Sequence, residues 1–237
     1  MINKEEIPIN LESNIETVRQ KIDKALDKSG RDIDDIKIIG VTKTVDIPTI
    51  NRAVDLGIDT IGENRVQELQ NKYDAIGDKV KYHMIGHLQT NKVRHILDKV
   101  ELIHSLDRIS LVKELDKGCK RNHSTIDTLI QVNVSEEETK FGLKVSEVIP
   151  FIEKIMEYET IRIKGLMTMA PHTNNEKVLR EVFSSMRKLK EDIEARNYQN
   201  ISMDHLSMGM TNDYEIAIEE GSNMVRIGRA IFGERNY

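Results

Sequence analysis

The chain has 237 residues, of which 38% are hydrophobic and 32% are charged, and its formal net charge is −5 at pH 7. This length and composition predict one globular domain of the larger kind, such as a β-sandwich or an α/β barrel. The negative charge gives no electrostatic basis for binding nucleic acid or an anionic membrane, and the lack of tryptophan argues against base-stacking surfaces. The single cysteine, Cys119, excludes an intrachain disulfide and a cysteine-based metal site.

The sequence also carries no sign of export or membrane insertion. No apolar run approaches the roughly 18 residues that a transmembrane helix needs. The N-terminal stretch MINKEEIPIN is acidic and lacks the apolar core of a signal peptide. We therefore expect a cytoplasmic protein whose thiol is reduced.

The first predicted element is a helix over SNIETVRQKIDKALDKSG, residues 13–30. Ser13 and Glu16 have the spacing of a capping box, and Gly30 can end the helix in a left-handed conformation. Apolar residues recur at helical spacing along one face, at Ile15, Val18, Ile22 and Leu26.

Short apolar runs then alternate with amphipathic stretches to the end of the chain. Eight runs are predicted to be strands, namely IKIIGVT, IDTIG, VKYHMIG, VELIHS, TLIQVNV, IRIKGLMT, ISMDHLS and NMVRIG. The predicted helices between them begin near Ile47, Arg65, Thr90, Arg108, Lys144, Asn175 and Thr211. Several of the strands are almost continuously apolar, which is typical of parallel strands covered on both faces.

Eight strand–helix units in about 200 residues predict an α/β fold, a TIM-like (β/α)8 barrel with an extra N-terminal helix. The whole chain, residues 1–237, would form this single domain. An open doubly wound sheet is the alternative, and it is disfavoured because no G-x-G-x-x-G turn follows the first strand.

In a barrel of this kind, function lies where strands end and loops begin, and Lys43 ends the first strand, within IIGVTKT. Strand alternation places Ile39, Val41 and Lys43 on one face, so the lysine is predicted to point along the interior toward the barrel mouth. Most strand-end lysines are solvated or salt-bridged, so position alone does not assign a role.

The segments after strands seven and eight, SMGMT and RIGRAIFG, are typical of a phosphate site in this fold. Ser207 and Thr211 add hydroxyl groups, and Thr211 is the predicted N-cap of the next helix. A phosphate site opposite Lys43 would suit a phosphorylated aldehyde. Each glycine turn alone is more often only a turn, and Arg226, inside an apolar strand, requires a partner that is either an acidic side chain or a ligand.

His83 and His87 are four residues apart, but on a strand-to-loop segment this spacing does not converge on a metal ion. His83 is interpreted as a core histidine with a hydrogen-bond partner. No metal site is predicted.

These residues lie in motifs that together resemble one known family. The motifs are VTKT, GENRVQE, HMIGHLQTNK, HSLD, VNVSEEETKFG, GLMTMAP, LSMGMTNDY and VRIGRAIFG, in the family's order, and the resemblance runs from about Ile36 to Gly233. The chain resembles the pyridoxal-phosphate homeostasis proteins of the YggS/PROSC type, whose barrel is similar to the N-terminal domain of alanine racemase. Ile61 replaces a frequent phenylalanine, which is a conservative departure.

The resemblance implies a fold type III barrel that binds pyridoxal 5′-phosphate (PLP) and assigns residues to it. Lys43 would hold the cofactor covalently as an aldimine, and Arg226 would face the pyridine nitrogen. An arginine there donates a hydrogen bond without protonating the nitrogen, which weakens the electron sink. The segments expected at the phosphate contribute Ser207, Gly209, Thr211, Gly228 and Arg229. The residues expected to line the rest of the cofactor cavity are Asn64, His87, Ser105 and Met167.

The resemblance also implies what the protein does with the cofactor. Related racemases add a C-terminal β-domain and use a tyrosine from a second subunit, and we expect no room for that domain in a chain that ends at Tyr237. The implied function is a non-catalytic, monomeric PLP carrier that buffers or delivers the cofactor to apo-enzymes and influences amino-acid and keto-acid pools.

Two enzymatic alternatives stay open. One is a PLP-dependent racemase or lyase of low activity, in which Lys43 abstracts a proton and His87 or Ser105 supplies the second one. The other is a barrel enzyme for a phosphorylated ligand, such as an aldolase or isomerase, that acts without any imine.

Overall fold

A computed structural model describes residues 10–32 and 36–234. Eight parallel strands close into a barrel in chain order, which confirms the predicted barrel. The strands are β1 (Lys37–Val41), β2 (Thr60–Glu63), β3 (Lys81–Met84), β4 (Leu102–Leu106), β5 (Ile126–Val132), β6 (Ile161–Thr168), β7 (Ile201–Met210) and β8 (Met224–Ile227). The stretch in which no signal peptide is predicted includes residues 1–9, which lie outside the described ranges. Tyr237, the last residue of the chain, also lies outside them. That residues 1–237 form one domain stays a prediction.

Helices connect successive strands and cover the outside of the barrel. The α-helices are α1 (Leu11–Ser29), α2 (Ile47–Asp55), α3 (Val66–Ile76), α4 (Ile109–Asn122), α5 (Val145–Ile155), α6 (Glu176–Ala195), α7 (Tyr214–Glu219) and α8 (Arg229–Phe232). None of the helices in the described ranges has the length and apolarity needed to cross a bilayer.

The extra N-terminal helix α1 packs with its apolar face against α7 and α8. Its N-cap is Asn10, whose side chain accepts a hydrogen bond from the Ser13 N–H at 3.1 Å. The predicted cap at Ser13 is therefore wrong by three residues, because an asparagine further upstream satisfies the first free N–H groups. Gly30 ends the helix at φ +67°, as predicted.

Two other predicted helices differ in detail from the structure. The helix after β3 begins at Thr90, as predicted, but Thr90–His95 is a short 3-10 helix, a type that rarely exceeds one or two turns. After β7, the predicted cap Thr211 precedes the true N-cap, Asp213, whose carboxylate accepts a hydrogen bond from the Met210 N–H at 2.6 Å. That hydrogen bond closes a turn before α7 begins.

The barrel interior combines a small apolar cluster with buried polar groups. The cluster consists of Ile39, Leu102, Leu129, Met167 and Met224, all of them buried. The larger apolar core lies between the strands and the surrounding helices, where the almost continuously apolar strands present their outer faces. The interior polar groups are thereby separated from solvent except at the mouth.

Candidate functional site

A cavity of about 210 Å³ lies at the barrel mouth, where β1, β6, β7 and β8 end. Five of the residues predicted to hold a cofactor line it together, namely Lys43, Thr211, Arg226, Gly228 and Arg229. The further lining residues are Val41, Ala170, Pro171, His172, Thr173, Met210, Asn212 and Asp213, and all of them except His172 and Thr173 lie in motifs noted in the sequence. The cavity is therefore rich in positively charged groups and hydrogen-bond donors.

Lys43 follows β1 directly, and both Val41 and Lys43 line the cavity while Ile39 lies deeper in the barrel interior. This arrangement agrees with the alternation predicted from IIGVTKT. The next residue, Thr44, has φ +65°, a left-handed conformation that is unfavourable for a β-branched side chain. Its backbone N–H donates to Glu68 Oε2 at 3.2 Å, so a side chain from α3 helps to hold the strained residue beside Lys43.

The residue before Lys43 is held by a buried ion pair. The Thr42 hydroxyl donates to a carboxylate oxygen of Glu63, at the end of β2. Lys72, on α3, donates from Nζ both to the Thr42 carbonyl and to Glu63 Oε1, each at 2.5 Å. Burial raises the pKa of Glu63, and the Lys72 ammonium opposes that rise. The backbone on both sides of Lys43 is therefore fixed by the second strand and the third helix.

Arg226, on β8, is buried at the floor of the cavity. Its Nη1 donates to the Ser207 carbonyl at 2.8 Å and to Ser207 Oγ at 2.6 Å, and its Nη2 donates to the Thr168 carbonyl at 2.7 Å. Burial lowers the pKa of the guanidinium to about 10, so it stays a cation at neutral pH. The sequence predicted an acidic side chain or a ligand as the partner of Arg226. The acceptors of these three hydrogen bonds are instead backbone carbonyl and hydroxyl oxygens.

A guanidinium has five N–H donors, and the three acceptors around Arg226 leave two of them uncommitted. These are Nε–H and one Nη2–H, which have no acceptor within the part of the chain that the structure describes. Because Arg226 lines the cavity, these donors are available to a ligand with an acceptor atom there.

The loops after β7 and β8 meet at the cavity, as predicted for a phosphate site. Thr211 Oγ1 accepts from the Ala230 N–H, in the first turn of α8, at 3.4 Å. Gly228 precedes that helix and Arg229 begins it, and both face the cavity. Thr211 thereby links the two loops to each other.

Two residues predicted to contact phosphate, Ser207 and Gly209, do not line this cavity. Ser207 is fully buried in the barrel interior beneath Arg226 and does not line the cavity. Gly209 has φ +94°, and a Cβ atom there would lie 2.7 Å from the Ala217 Cβ and 2.8 Å from the Tyr214 Cα. Gly209 thus allows β7 to pack closely against α7.

The residues predicted to line the remainder of the cofactor site are dispersed. Asn64 and His87 line a separate concavity of about 610 Å³, together with basic residues such as Lys92, and the His87 ring stacks on Phe141 with centroids 3.9 Å apart. Ser105 and Met167 are fully buried in their strands and line neither of these two spaces.

Sequence patterns did not identify Glu63, Lys72 and Asp213 as parts of the site. Glu63 and Asp213 occur within the motifs GENRVQE and LSMGMTNDY, which was the only signal for them. Lys72 has no such signal, since its role depends on how α3 packs beside β1. Within the residues described here, no three His, Cys, Asp or Glu side chains are grouped to hold a metal ion.

Comparisons with known proteins identify the family of this chain. The family model described as the N-terminal domain of alanine racemase matches residues 10–236. A pyridoxal phosphate homeostasis protein from Aquifex aeolicus is 41% identical over 230 residues, which cover 97% of this chain and 100% of that protein. A crystal structure of an unknown protein from Bifidobacterium adolescentis has a TM-score of 0.90 at 34% identity, with 94% of each chain covered.

A structure of PipY from Synechococcus elongatus with PLP bound shares the fold, with a TM-score of 0.83 at 24% identity over 94% of this chain and 100% of that one. The sequence relatives extend over nearly the full length of the chain, and the family model does so as well. The chain belongs to the pyridoxal phosphate homeostasis protein family, which is built on the barrel of the alanine racemase N-terminal domain.

Proposed function

We propose that the protein binds PLP at the barrel mouth, attached to Lys43, and serves PLP homeostasis by buffering or delivering the cofactor. The observation that supports this most directly is the meeting of Lys43, Arg226, Thr211 and Arg229 around one cavity. Relatives at 41% and 35% identity are named pyridoxal phosphate homeostasis proteins, which fits the same role.

The donor set of the cavity fits this cofactor. The Lys43 amine would bond to the aldehyde carbon, whose oxygen would leave as water, and the two uncommitted N–H groups of Arg226 would face the pyridine nitrogen. Thr211 and Arg229, with the backbone after Gly228, would hold the phosphate. When bound, PLP supplies an electrophilic carbonyl and an electron-accepting ring.

A non-catalytic role is the finer part of this proposal. Arg226 donates a hydrogen bond but does not transfer its proton to the ring nitrogen, because its pKa of about 10 keeps it a cation at neutral pH. The ring would therefore be a weaker electron sink than one paired with an acid. A racemase or lyase of low activity is the competing function, because Lys43 could act as a base once released from the cofactor.

A spectrum of the purified protein tests cofactor binding. Wild type should be yellow, and borohydride reduction should place the cofactor on Lys43 alone. Lys43→Ala should be colourless, whereas Lys92→Ala, which removes a lysine from the separate concavity that His87 lines, should keep the visible band. A wild type that takes up no PLP, or a reduced adduct on a different lysine, would refute the proposal.

A second experiment separates the carrier from the enzyme. Incubation with L-amino acids in deuterated water should give no sustained exchange of the Cα proton, and loaded protein should activate an apo-enzyme that requires PLP. Rapid Cα exchange with product turnover would instead establish a catalyst. We further propose a cytoplasmic monomer, and sedimentation of the loaded protein tests the monomeric state.

A further inference from the structure

Below the mouth cavity, a chain of buried polar side chains crosses the interior of the barrel. Ser207 Oγ, which accepts from Arg226 Nη1 at 2.6 Å, lies 3.1 Å from His104 Nδ1. His104 Nε2 lies 3.0 Å from His83 Nδ1. All four side chains are at most 4% exposed, and they come from β8, β7, β4 and β3.

The direction of the hydrogen bonds follows from the chemistry of Arg226. A guanidinium only donates, so Ser207 Oγ accepts from it. The Ser207 hydroxyl proton is then directed to His104 Nδ1, which must be unprotonated to accept it. His104 consequently carries its proton on Nε2 and donates it to His83 Nδ1. His83 is left with its own proton on Nε2.

The reverse direction leaves more groups without partners. If His104 donated from Nδ1 to Ser207, the Ser207 O–H would have no acceptor, and the His83 Nε2 lone pair would have no donor. In the direction that begins at Arg226, the only unpaired group of the chain is the His83 Nε2–H, within the part of the protein that the structure describes. A buried polar group without a partner costs on the order of 1–3 kcal/mol, so the direction with fewer such groups is favoured.

Burial also keeps both imidazoles neutral, as this direction requires. It lowers the pKa of His83 to about 3 and the pKa of His104 well below its ordinary value, and nearby positive charges add to the effect. An imidazolium at His104 would place a second cation close to Arg226 in the barrel interior.

We propose that Ser207, His104 and His83 are positioning residues that fix the orientation of Arg226 through a one-way hydrogen-bond chain, with both histidines protonated on Nε2. The chain holds Nη1 of Arg226 toward the interior, so that Nε–H and the second Nη2–H stay directed to the cavity. The hydrogen bond from Arg226 to the pyridine nitrogen of PLP rests on the proposed function. The tautomers of His83 and His104 do not depend on it.

The tautomers can be read directly in the cofactor-free, full-length protein. Two-bond proton–nitrogen correlation spectra at pH 7.5 should show His83 and His104 as neutral Nε2–H imidazoles. Assignment by comparison with His83→Gln and His104→Asn identifies each signal. An Nδ1–H tautomer or an imidazolium at His104 would overturn the proposal, whether or not the protein binds PLP.

Substitutions of His104 test the effect on the cofactor. His104→Asn keeps an acceptor amide oxygen in reach of Ser207, so its PLP dissociation constant and visible band should match wild type. His104→Leu removes the acceptor, so the dissociation constant should rise about five- to tenfold and the band should shift. Leu102→Val, two residues earlier on β4, is the matched control for altered interior packing and should leave the band unchanged.

Equal behaviour of the Asn and Leu variants would contradict the positioning role, because simple loss of packing would then explain both. If either variant fails to fold, the tautomers of the wild-type protein still decide the proposal. A wild type that shows Nε2–H tautomers but binds no PLP would support the chain and refute the proposed function.

Discussion

Replacing Lys72 with methionine should destabilise the protein by about 3–5 kcal/mol, the usual cost of removing one partner from a buried ion pair. Lys72 is 6% exposed and Glu63 is fully buried, so little solvent is available to replace the lost ammonium. The substitution leaves the Glu63 carboxylate without its cation and the Thr42 carbonyl without its donor at 2.5 Å. Both losses fall next to Lys43.

Urea unfolding followed by circular dichroism measures this free energy. Lys190→Met is the matched control, because Lys190 pairs with Glu194 at 3.0 Å on the surface of α6, where such pairs contribute about 0–1 kcal/mol. Adding Glu63→Gln to Lys72→Met should recover at least about 1 kcal/mol, since a neutral amide is less costly to bury than a carboxylate. A Lys72→Met loss below about 1 kcal/mol, or a double variant no more stable than the single one, would refute the reasoning.

Three further predictions concern pH, packing and phosphate. The pKa of His83 falls from 6.5 to about 3 on folding, so the unfolded chain binds more protons than the folded one below pH 6.5, and the free energy of unfolding decreases as the pH is lowered. His83→Gln should reduce this pH dependence by about 1.4 kcal/mol per pH unit between pH 5.5 and 4.5, measured by urea unfolding. Gly209→Ala should cost about 2–4 kcal/mol because its Cβ meets Tyr214, whereas Gly30→Ala, with no neighbour within 4 Å, should cost about 1–2 kcal/mol on the same assay. Arg229→Met should weaken PLP about tenfold in spectroscopic titrations and leave pyridoxal, which lacks the phosphate, unaffected; equal losses for both ligands would place Arg229 away from the phosphate.

Local periodicity was sufficient to predict the barrel and the direction of Lys43. The apolar run IRIKGLMT coincides with β6, and two-residue alternation placed Val41 and Lys43 on one face. Both inferences depend only on neighbouring residues, for which backbone geometry fixes the side-chain direction. The same holds for Gly30, which ends α1.

Ser207 shows where this reasoning stops. Its hydroxyl and its position in SMGMT favoured a phosphate contact, but β7 continues to Met210 and turns Ser207 inward. Its partner Arg226 lies 19 residues away on the neighbouring strand, and His104 lies 103 residues away across the barrel. Such contacts are set by barrel closure, which no local pattern encodes. The ion pair of Glu63 with Lys72 depends in the same way on the packing of α3 beside β1.

Two of the basic side chains that the structure describes are buried, Lys72 and Arg226, and their charges are compensated differently. The Lys72 ammonium is neutralised by Glu63 at 2.5 Å and lies outside the lining of the mouth cavity. Arg226 has no carboxylate within ion-pair distance among the described residues, and all of its hydrogen-bond acceptors are neutral oxygens. Asp213, which also lines the cavity, attracts the guanidinium from beyond ion-pair distance. Because no described carboxylate forms an ion pair with Arg226, burying this cation is costly, and an anion in the adjoining cavity reduces that cost. The ion pair of Lys72 with Glu63 fixes the backbone around Lys43. The Arg226 guanidinium, which forms no ion pair among the described residues, favours a negatively charged ligand beside Lys43.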